Sequence, residues 1–389
     1  MITQEMIYLD HAATTPVDPR VLEAMAAFPA NRYGNPSSIH QFGQDAEAAV
    51  EEARDSLARI LHCNSSEVLF TSGGSESDNL AVRGVALNEK EIRGANHLLI
   101  SPLEHPAVLR TAEQLRDHFG FQLELLPVDP FGRVDPQVVA GLLRRETALV
   151  SVMYASNEIG TLEPIAEIGG ICRTLGIPFH SDAVQAASQL PLNVVDLNVD
   201  LLSLGAHKFY GPKGVGALYI REGVRLLPTQ TGGGQEGGRR AGTHNVPFIV
   251  GMAKALEITQ VEREDDNRRF QELRDHLLRT VPELVPDVRI TGHPTLRLPN
   301  HASFIFRGIR GNHLITYLDL AGIACSSGSA CKTGDPQPSE VLLAVGVEPE
   351  WVLGSLRVTV GRGTVPAHIR RLTEVLPVIC ERLRSLEAT

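Results

Sequence analysis

"LSLGAHKFYGPKGVG", Leu202–Gly216, decides how this chain is read. Its opening is a short apolar run bounded by glycine, the pattern of a strand buried on both faces. The run stops at Gly205, and His207 and Lys208 follow at once. Lys213 lies in GPKG, a turn signal that leaves it in solvent. An amine at the end of a buried strand is stripped of part of its water, which lowers its pKa and frees it to attack a carbonyl. Arginine cannot take that role, and the chain is poor in lysine. Of 36 basic residues, 31 are Arg and five are Lys: Lys90, Lys208, Lys213, Lys254 and Lys332. A bias toward Arg explains the ratio, and Lys208 taken alone reads equally well as a surface lysine closing a strand.

The same texture extends to both sides. EVLFT (67–71), HLLIS (97–101), ALVSVM (148–153), IPFHS (177–181), DLLSL (200–204) and VGALYI (215–220) read as buried strands. Helical patterns fall near 45–62, 75–88, 106–119, 135–145 and 164–175. Strands alternating with helices predict an α/β layer, a mostly parallel sheet with helices on both faces. From about residue 261 the pattern changes. REDDNRRFQELRDHLLRTV predicts a charged amphipathic helix, SFIFR (303–307) and LRVTV (356–360) predict strands, and IRRLTEVLPVICERLRSL a terminal helix. This second unit is α+β.

Ligands of parallel sheets bind beyond the carboxyl ends of the strands. The polar clusters fall there: TSGGSESDN, LEHP, YASNEIG, SDAVQ and GAHK each follow a predicted strand. Five such ends point to one large site. In HSDAVQ (180–185) His180 and Asp182 tempt toward a triad or a metal pair, but no G-x-S-x-G elbow exists and no ligand spacing favours a metal. A buried Asp182 suits the N–H of a pyridinium ring, and equally a helix cap. TSGGSESDN (71–79) leads a Gly-Ser turn into a helix, whose free N–H groups would hold a phosphate on Gly74 and Ser75, or would be an ordinary capped turn. Gly232, Gly234 and Gly237 match a dinucleotide fingerprint, with Glu257 twenty residues on, but no strand leads directly into them.

Composition narrows the classes. A net charge of −10 disfavours nucleic acid or anionic membrane as direct partners. No run approaches the about 18 apolar residues of a membrane span. MITQEMIYLDHAATT lacks a basic start and an apolar stretch, so the expected place of action is the cytoplasm. The five cysteines, Cys63, Cys172, Cys325, Cys331 and Cys380, form neither a disulfide framework nor CxxC zinc pairs. Cys63, Cys172 and Cys380 adjoin apolar helical patterns and read as structural. Cys331 differs: it lies in the Ser/Gly/Ala stretch IACSSGSACKTGDPQPSE (323–340), beside Lys332.

Ten motifs in order now carry a resemblance over nearly the whole length: YLDHAATTP (8–16), YGNPSSIH (33–40), TSGGSESDN, EHPAV (104–108), NEIG (157–160), HSDAVQ, HKFYGPKG (207–214), RRAGT (239–243), SSGSAC (326–331) and SLRVTVGR (355–362). The chain resembles the pyridoxal-phosphate-dependent cysteine desulfurases of the NifS/IscS type, within the class V aminotransferases. That resemblance implies the type I aminotransferase-like fold, with a large cofactor-binding domain over 15–260 and a small α+β domain from 1–14 and 261–389. The small domain would carry a catalytic cysteine loop at about 323–337. By position, Lys208 would anchor pyridoxal 5′-phosphate covalently, Asp182 would pair with its ring nitrogen and Gln185 with its phenolic oxygen. His105 would stack on the ring and move protons, and Asn157 would also touch the cofactor. Gly74, Ser75 and His207 would hold the phosphate, with Thr243 reaching in from the second subunit of a homodimer. Arg357 would take the carboxylate of L-cysteine, assisted by Asn35 and Asn157, and Cys331 would accept the sulfur. Gly205 stands where the family often has Ser, so one hydroxyl to the phosphate would be missing.

The chemistry so implied turns L-cysteine into L-alanine and leaves a persulfide on Cys331. The persulfide would then meet an acceptor protein, such as an iron–sulfur scaffold or a tRNA-thiolation protein. A loop of small residues pivoting at Gly328 would let one thiol do both tasks. Two other readings remain: a pyridoxal-phosphate enzyme of another activity, aminotransferase or β-lyase, and a sulfur carrier or scaffold without catalysis. Alanine as product separates the first, and the cofactor's absorbance the second.

Overall fold

The computed structural model describes residues 6–328 and 338–387. In chain order it begins with β1 (Ile7–Tyr8), α1 (Pro19–Met25), α2 (Gln41–Leu61), β2 (Val68–Thr71), α3 (Gly74–Arg93), β3 (His97–Ile100) and α4 (Pro106–Phe119). Next come β4 (Gln122–Leu125), α5 (Pro136–Leu142), β5 (Thr147–Ser151), α6 (Ile165–Thr174), β6 (Phe179–Asp182), β7 (Leu201–Gly205) and β8 (Gly216–Ile220). The remainder is α7 (Val246–Leu284), β9 (Val288–Ile290), β10 (His301–Phe306), α8 (Gly311–Leu320), β11 (Ile323–Ala324), α9 (Glu340–Ala344), α10 (Pro349–Val352), β12 (Ser355–Thr359) and α11 (Pro366–Glu387).

Seven strands form the main sheet in the order β2-β8-β7-β6-β5-β3-β4. Only β8 runs against its neighbours, so the sheet is mostly parallel, as its apolar runs predict. Successive side chains of a strand point to opposite faces, and the core divides accordingly. Val68, Phe70, Leu202, Leu204, Ala217 and Tyr219 join the cluster formed with α2, α6 and the first half of α7. Leu69, Leu201, Leu218 and Ile220 join the cluster formed with α3 and α4. The edge strand β4 has no counterpart among the predicted strands. Its QLEL is half-exposed and carries no continuous apolar signal.

A second core gathers around the antiparallel strands β9, β10 and β12 with α8 and α11. Leu9 and Ile323 belong to it, and β1 pairs with β11 in parallel. The charged helix expected from residue 263 is the second half of a single 39-residue helix, α7. Its first half packs Ile249, Met252 and Leu256 into the first core, and its second half packs Phe270, Leu273 and Leu277 into the other.

The glycine-rich GGGQEGG stretch is no nucleotide loop. It winds a tight turn that buries Glu236 with φ +50°. Glu236 accepts a bidentate pair from Arg54 at 2.8 and 2.9 Å and a bond from His244 at 2.6 Å. Burial works to raise its pKa, but those two partners outweigh it and hold the carboxyl at about 2. Glu257 is remote from this turn and pairs with Lys254. Glu236→Ala leaves the buried Arg54 without its principal counter-charge. The expected loss is about 3 kcal/mol, read as a lower midpoint in urea unfolding; an unchanged midpoint contradicts the assignment.

Candidate active site

A cavity of about 680 Å³ opens at the carboxyl edge of the main sheet. Gly74, Ser75, His105, Asn157, Asp182, Gln185, His207, Lys208 and Arg357 all line it. They come from six separate stretches of the chain, and the parallel sheet brings five of them together because each of those follows a strand ending on the same edge. Arg357 alone comes from the second unit, on β12.

Lys208 sits in the single helical turn Ala206–Lys208 that follows β7. Its Nζ donates to the carbonyls of Ala12 at 2.6 Å and Ala13 at 2.7 Å. Gln185 Nε2 donates to the same Ala12 carbonyl at 2.9 Å. Burial, and then the nearby Arg357 guanidinium, bring the Lys208 amine down to about 8, while Asp182 and Asp10 pull the other way. The segment 12–15 lies almost two hundred residues away in sequence and carries no periodic signal. No local pattern marks it as the backbone cradle of Lys208. His207 is tied to the same segment by Nδ1 to Thr14 Oγ1 at 3.1 Å, and burial lowers it to about 4.

At the opposite wall, α3 begins at Gly74 with Gly73 as a cap that has no side chain to offer. The first-turn N–H groups and the positive end of a 20-residue helix therefore face the cavity. Gly74 is required by close approach: a Cβ there would stand 2.6 Å from Val184 Cγ2. Gly205 lies beside it, its own Cβ position 3.3 Å from the Gly74 nitrogen.

Asp182 ends β6, buried, with Oδ1 accepting from the Val184 N–H at 2.8 Å. Burial raises its pKa, opposed by His105, the Val184 N–H and Lys208. His105 caps α4, and its Nδ1 accepts from the Ala107 N–H at 3.1 Å. Burial keeps the imidazole neutral, so its proton resides on Nε2. Glu104, unread in the sequence, is fully enclosed beside it; Oε1 accepts from the Met153 N–H at 2.6 Å, and burial and then Asp182 push its pKa up. His180 does not line the cavity. It bridges Ser151 and Ser203 at 2.9 Å each, and burial drives it down to about 3, as suits a neutral core histidine.

Arg357 Nη1 donates to the Asn157 carbonyl and Nη2 to Asp10, both at 2.9 Å. Its buried Nε has no partner among the described residues. Glu158, next to Asn157, is pushed up to about 7 by burial, against a bond from Ser339 and the pull of Arg357.

Two expected residues do not line the cavity. Asn35 and Thr243 are exposed, the first capping its own turn through Ser37, the second in the segment that follows Glu236. Cys331 lies outside the described residues. The other four cysteines are unpaired, and burial raises each to about 12, which leaves them protonated and inert. No group of three metal-ligating side chains occurs among the described residues, and none of their helices is long and apolar enough to cross a membrane.

Comparison with known proteins accords with this geometry. A model of the class-V aminotransferases matches residues 7–372. The cysteine desulfurase IscS of Dictyoglomus turgidum is 46% identical over 382 residues, 98% of this chain and 96% of that protein. A solved NifS-like protein superposes with a TM-score of 0.88 at 36% identity, covering 98% of this chain and 99% of its own. The structure of SspA in complex with cysteine superposes with a TM-score of 0.79 at 33% identity, covering 92% and 100%.

Proposed function

The chain belongs to the class-V aminotransferase family, among its cysteine desulfurases, and on that footing we propose that it converts L-cysteine to L-alanine and transfers the sulfur to Cys331 as a persulfide, using pyridoxal 5′-phosphate. The observation that carries the proposal is the single cavity that sets the softened amine of Lys208, the buried Asp182 and the bare start of α3 around one space. This donor set suits the cofactor's three demands: an amine for its aldehyde, a carboxylate for its ring nitrogen and N–H groups for its phosphate.

Lys208 would anchor the cofactor, Asp182 would face its ring nitrogen, Gln185 its phenolic oxygen, and Gly74, Ser75 and His207 its phosphate. Bound there, the cofactor supplies an electron sink for charge developing at the substrate Cα. Arg357, which lines the cavity, would hold the substrate carboxylate, with Asn157 beside it. The Lys208 amine would take the Cα proton, since an amine with a pKa of about 8 is a competent base at neutrality. His105, neutral with its proton on Nε2, can give and regain a proton at the substrate. In the net reaction the Cβ–Sγ bond of L-cysteine breaks and an S–S bond to Cys331 forms. The thiol protons balance the new C–H bond of alanine, so no external oxidant is needed.

The same reading extends to organisation. Residues 15–260 form the large domain, and 1–14 with 261–389 the small one; the two cores carried by the halves of α7 support the division. The exposure of Thr243 supports its service to the neighbouring site of a homodimer, and the persulfide would pass to a sulfur-acceptor protein.

The test is alanine and sulfide production from L-cysteine with a thiol reductant; absence of alanine refutes the proposal. Two further results are expected. His105→Ala lowers kcat by about 10²–10⁴-fold while the cofactor's absorbance remains, and a kcat within threefold of wild type contradicts a proton-transfer role. The apo-protein should load cofactor faster as pH rises through about 8, because the Lys208 amine attacks only when unprotonated. Stopped-flow absorbance at pH 6.5–9.5 measures this, and a pH-independent rate contradicts it.

A further inference from the structure

Glu158 follows the cavity-lining Asn157 in the chain and has no part in the chemistry above. Its Oε2 accepts a hydrogen bond from Ser339 Oγ at 2.5 Å. Ser339 caps α9, with its Oγ accepting from the Leu342 N–H at 3.1 Å, so its one hydroxyl proton is free to go to Glu158. From the other side Gly328 packs on the same oxygen: a Cβ at 328 would lie 2.9 Å from Oε2. Gly328 N–H donates to Ser355 Oγ at 3.0 Å, and Ser326 exchanges backbone bonds with Arg357 at 2.7 and 3.2 Å. Gly328 and Ser339 are eleven positions apart and flank Cys331 on its two sides. A Cβ at 328 would therefore displace the Glu158 carboxyl from its place.

We propose that Glu158 is a positioning residue that joins the two flanks of the Cys331 segment next to the cavity-lining Asn157, by hydrogen bond to Ser339 and by close packing on Gly328. The role of Cys331 rests on the desulfurase reading; the tether itself does not. Joining the ends of a short segment restricts the volume its middle explores. It thereby raises the local concentration of a thiol that must meet a substrate in the cavity. A carboxyl group suits the task because its oxygen accepts from the Ser339 hydroxyl whether or not the group is ionised.

The test uses the full-length protein loaded with pyridoxal 5′-phosphate, in four variants. Glu158→Met and Ser339→Ala remove the bond; Glu158→Gln and Ser339→Thr keep an acceptor and a hydroxyl. Native-state trypsin cleavage after Lys332, read from fragment masses, reports release of the segment without reference to activity. Glu158→Met and Ser339→Ala should be cut about tenfold faster than wild type, the scale of one lost hydrogen bond. They should also lose kcat by a similar factor with KM for L-cysteine unchanged, while Glu158→Gln and Ser339→Thr stay near wild type. Wild-type cutting and kcat in Glu158→Met overturn the proposal, and so does Glu158→Gln as impaired as Glu158→Met. Faster cutting in Ser339→Ala alone also overturns it, since Glu158→Met leaves the cap of α9 intact. A wild-type protein that makes no alanine refutes the desulfurase reading instead, and the cutting rates still decide the tether.

Discussion

Replacing Cys331 with alanine is expected to reduce alanine formation from L-cysteine to background, a loss on the order of 10³-fold or more, the scale seen when a nucleophile is removed. The remaining cysteines cannot substitute. Each described thiol is held near 12 by burial, so the fraction ionised at neutrality is negligible. Cys325 is the instructive case: it lies only six positions away, but packs on the second core with its thiol buried. The side chains that would hold the cofactor, Lys208, Asp182 and His105 among them, are untouched by this change, so cofactor binding should survive. The visible absorbance of the cofactor is therefore expected to be that of wild type. Full activity in this variant, or loss of colour, contradicts the role given to Cys331.

Lys208→Ala is expected to cost more, because one amine serves as anchor and as base. Borohydride reduction followed by peptide mapping should place the cofactor on Lys208 in wild type and on no residue in the variant. Turnover should fall on the order of 10⁴-fold or more, the combined scale of a lost covalent anchor and a lost general base. Lys213, which also lines the cavity, tests the specificity of the assignment. It lies in the GPKG turn, exposed, and Lys213→Ala should retain the borohydride label on Lys208. A label on Lys213 in the wild type contradicts the account.

Much of this was legible in the residues. Six strands of the main sheet announce themselves as apolar runs because strands buried on both faces have no reason to alternate. The polar clusters at their ends are legible for the same cause: the chain changes character where it leaves the core. The edge strand β4 escaped because half its residues face solvent. Helix α7 was divided because its composition changes midway, from the apolar IVGMAKALEI to the charged REDDNRRF, while its backbone continues unbroken. The site itself was less legible wherever it depends on backbone. Nothing in Ala12 or Ala13 says that their carbonyls will hold a lysine 195 positions on. Glu104, Glu158 and Glu236 read as ordinary acidic residues, because only tertiary packing removes them from water. Their burial changes what they do, and burial of a charged residue is not written in local pattern.

The central claim is that sulfur leaves L-cysteine for one particular thiol. Mass spectrometry of the intact protein and its peptides, after brief exposure to L-cysteine without reductant, tests it most directly. The account predicts a mass gain of one sulfur atom on the peptide that contains Cys331, formed together with one equivalent of alanine per site. Sulfur found on Cys325 or on no cysteine, while alanine is still produced, contradicts it.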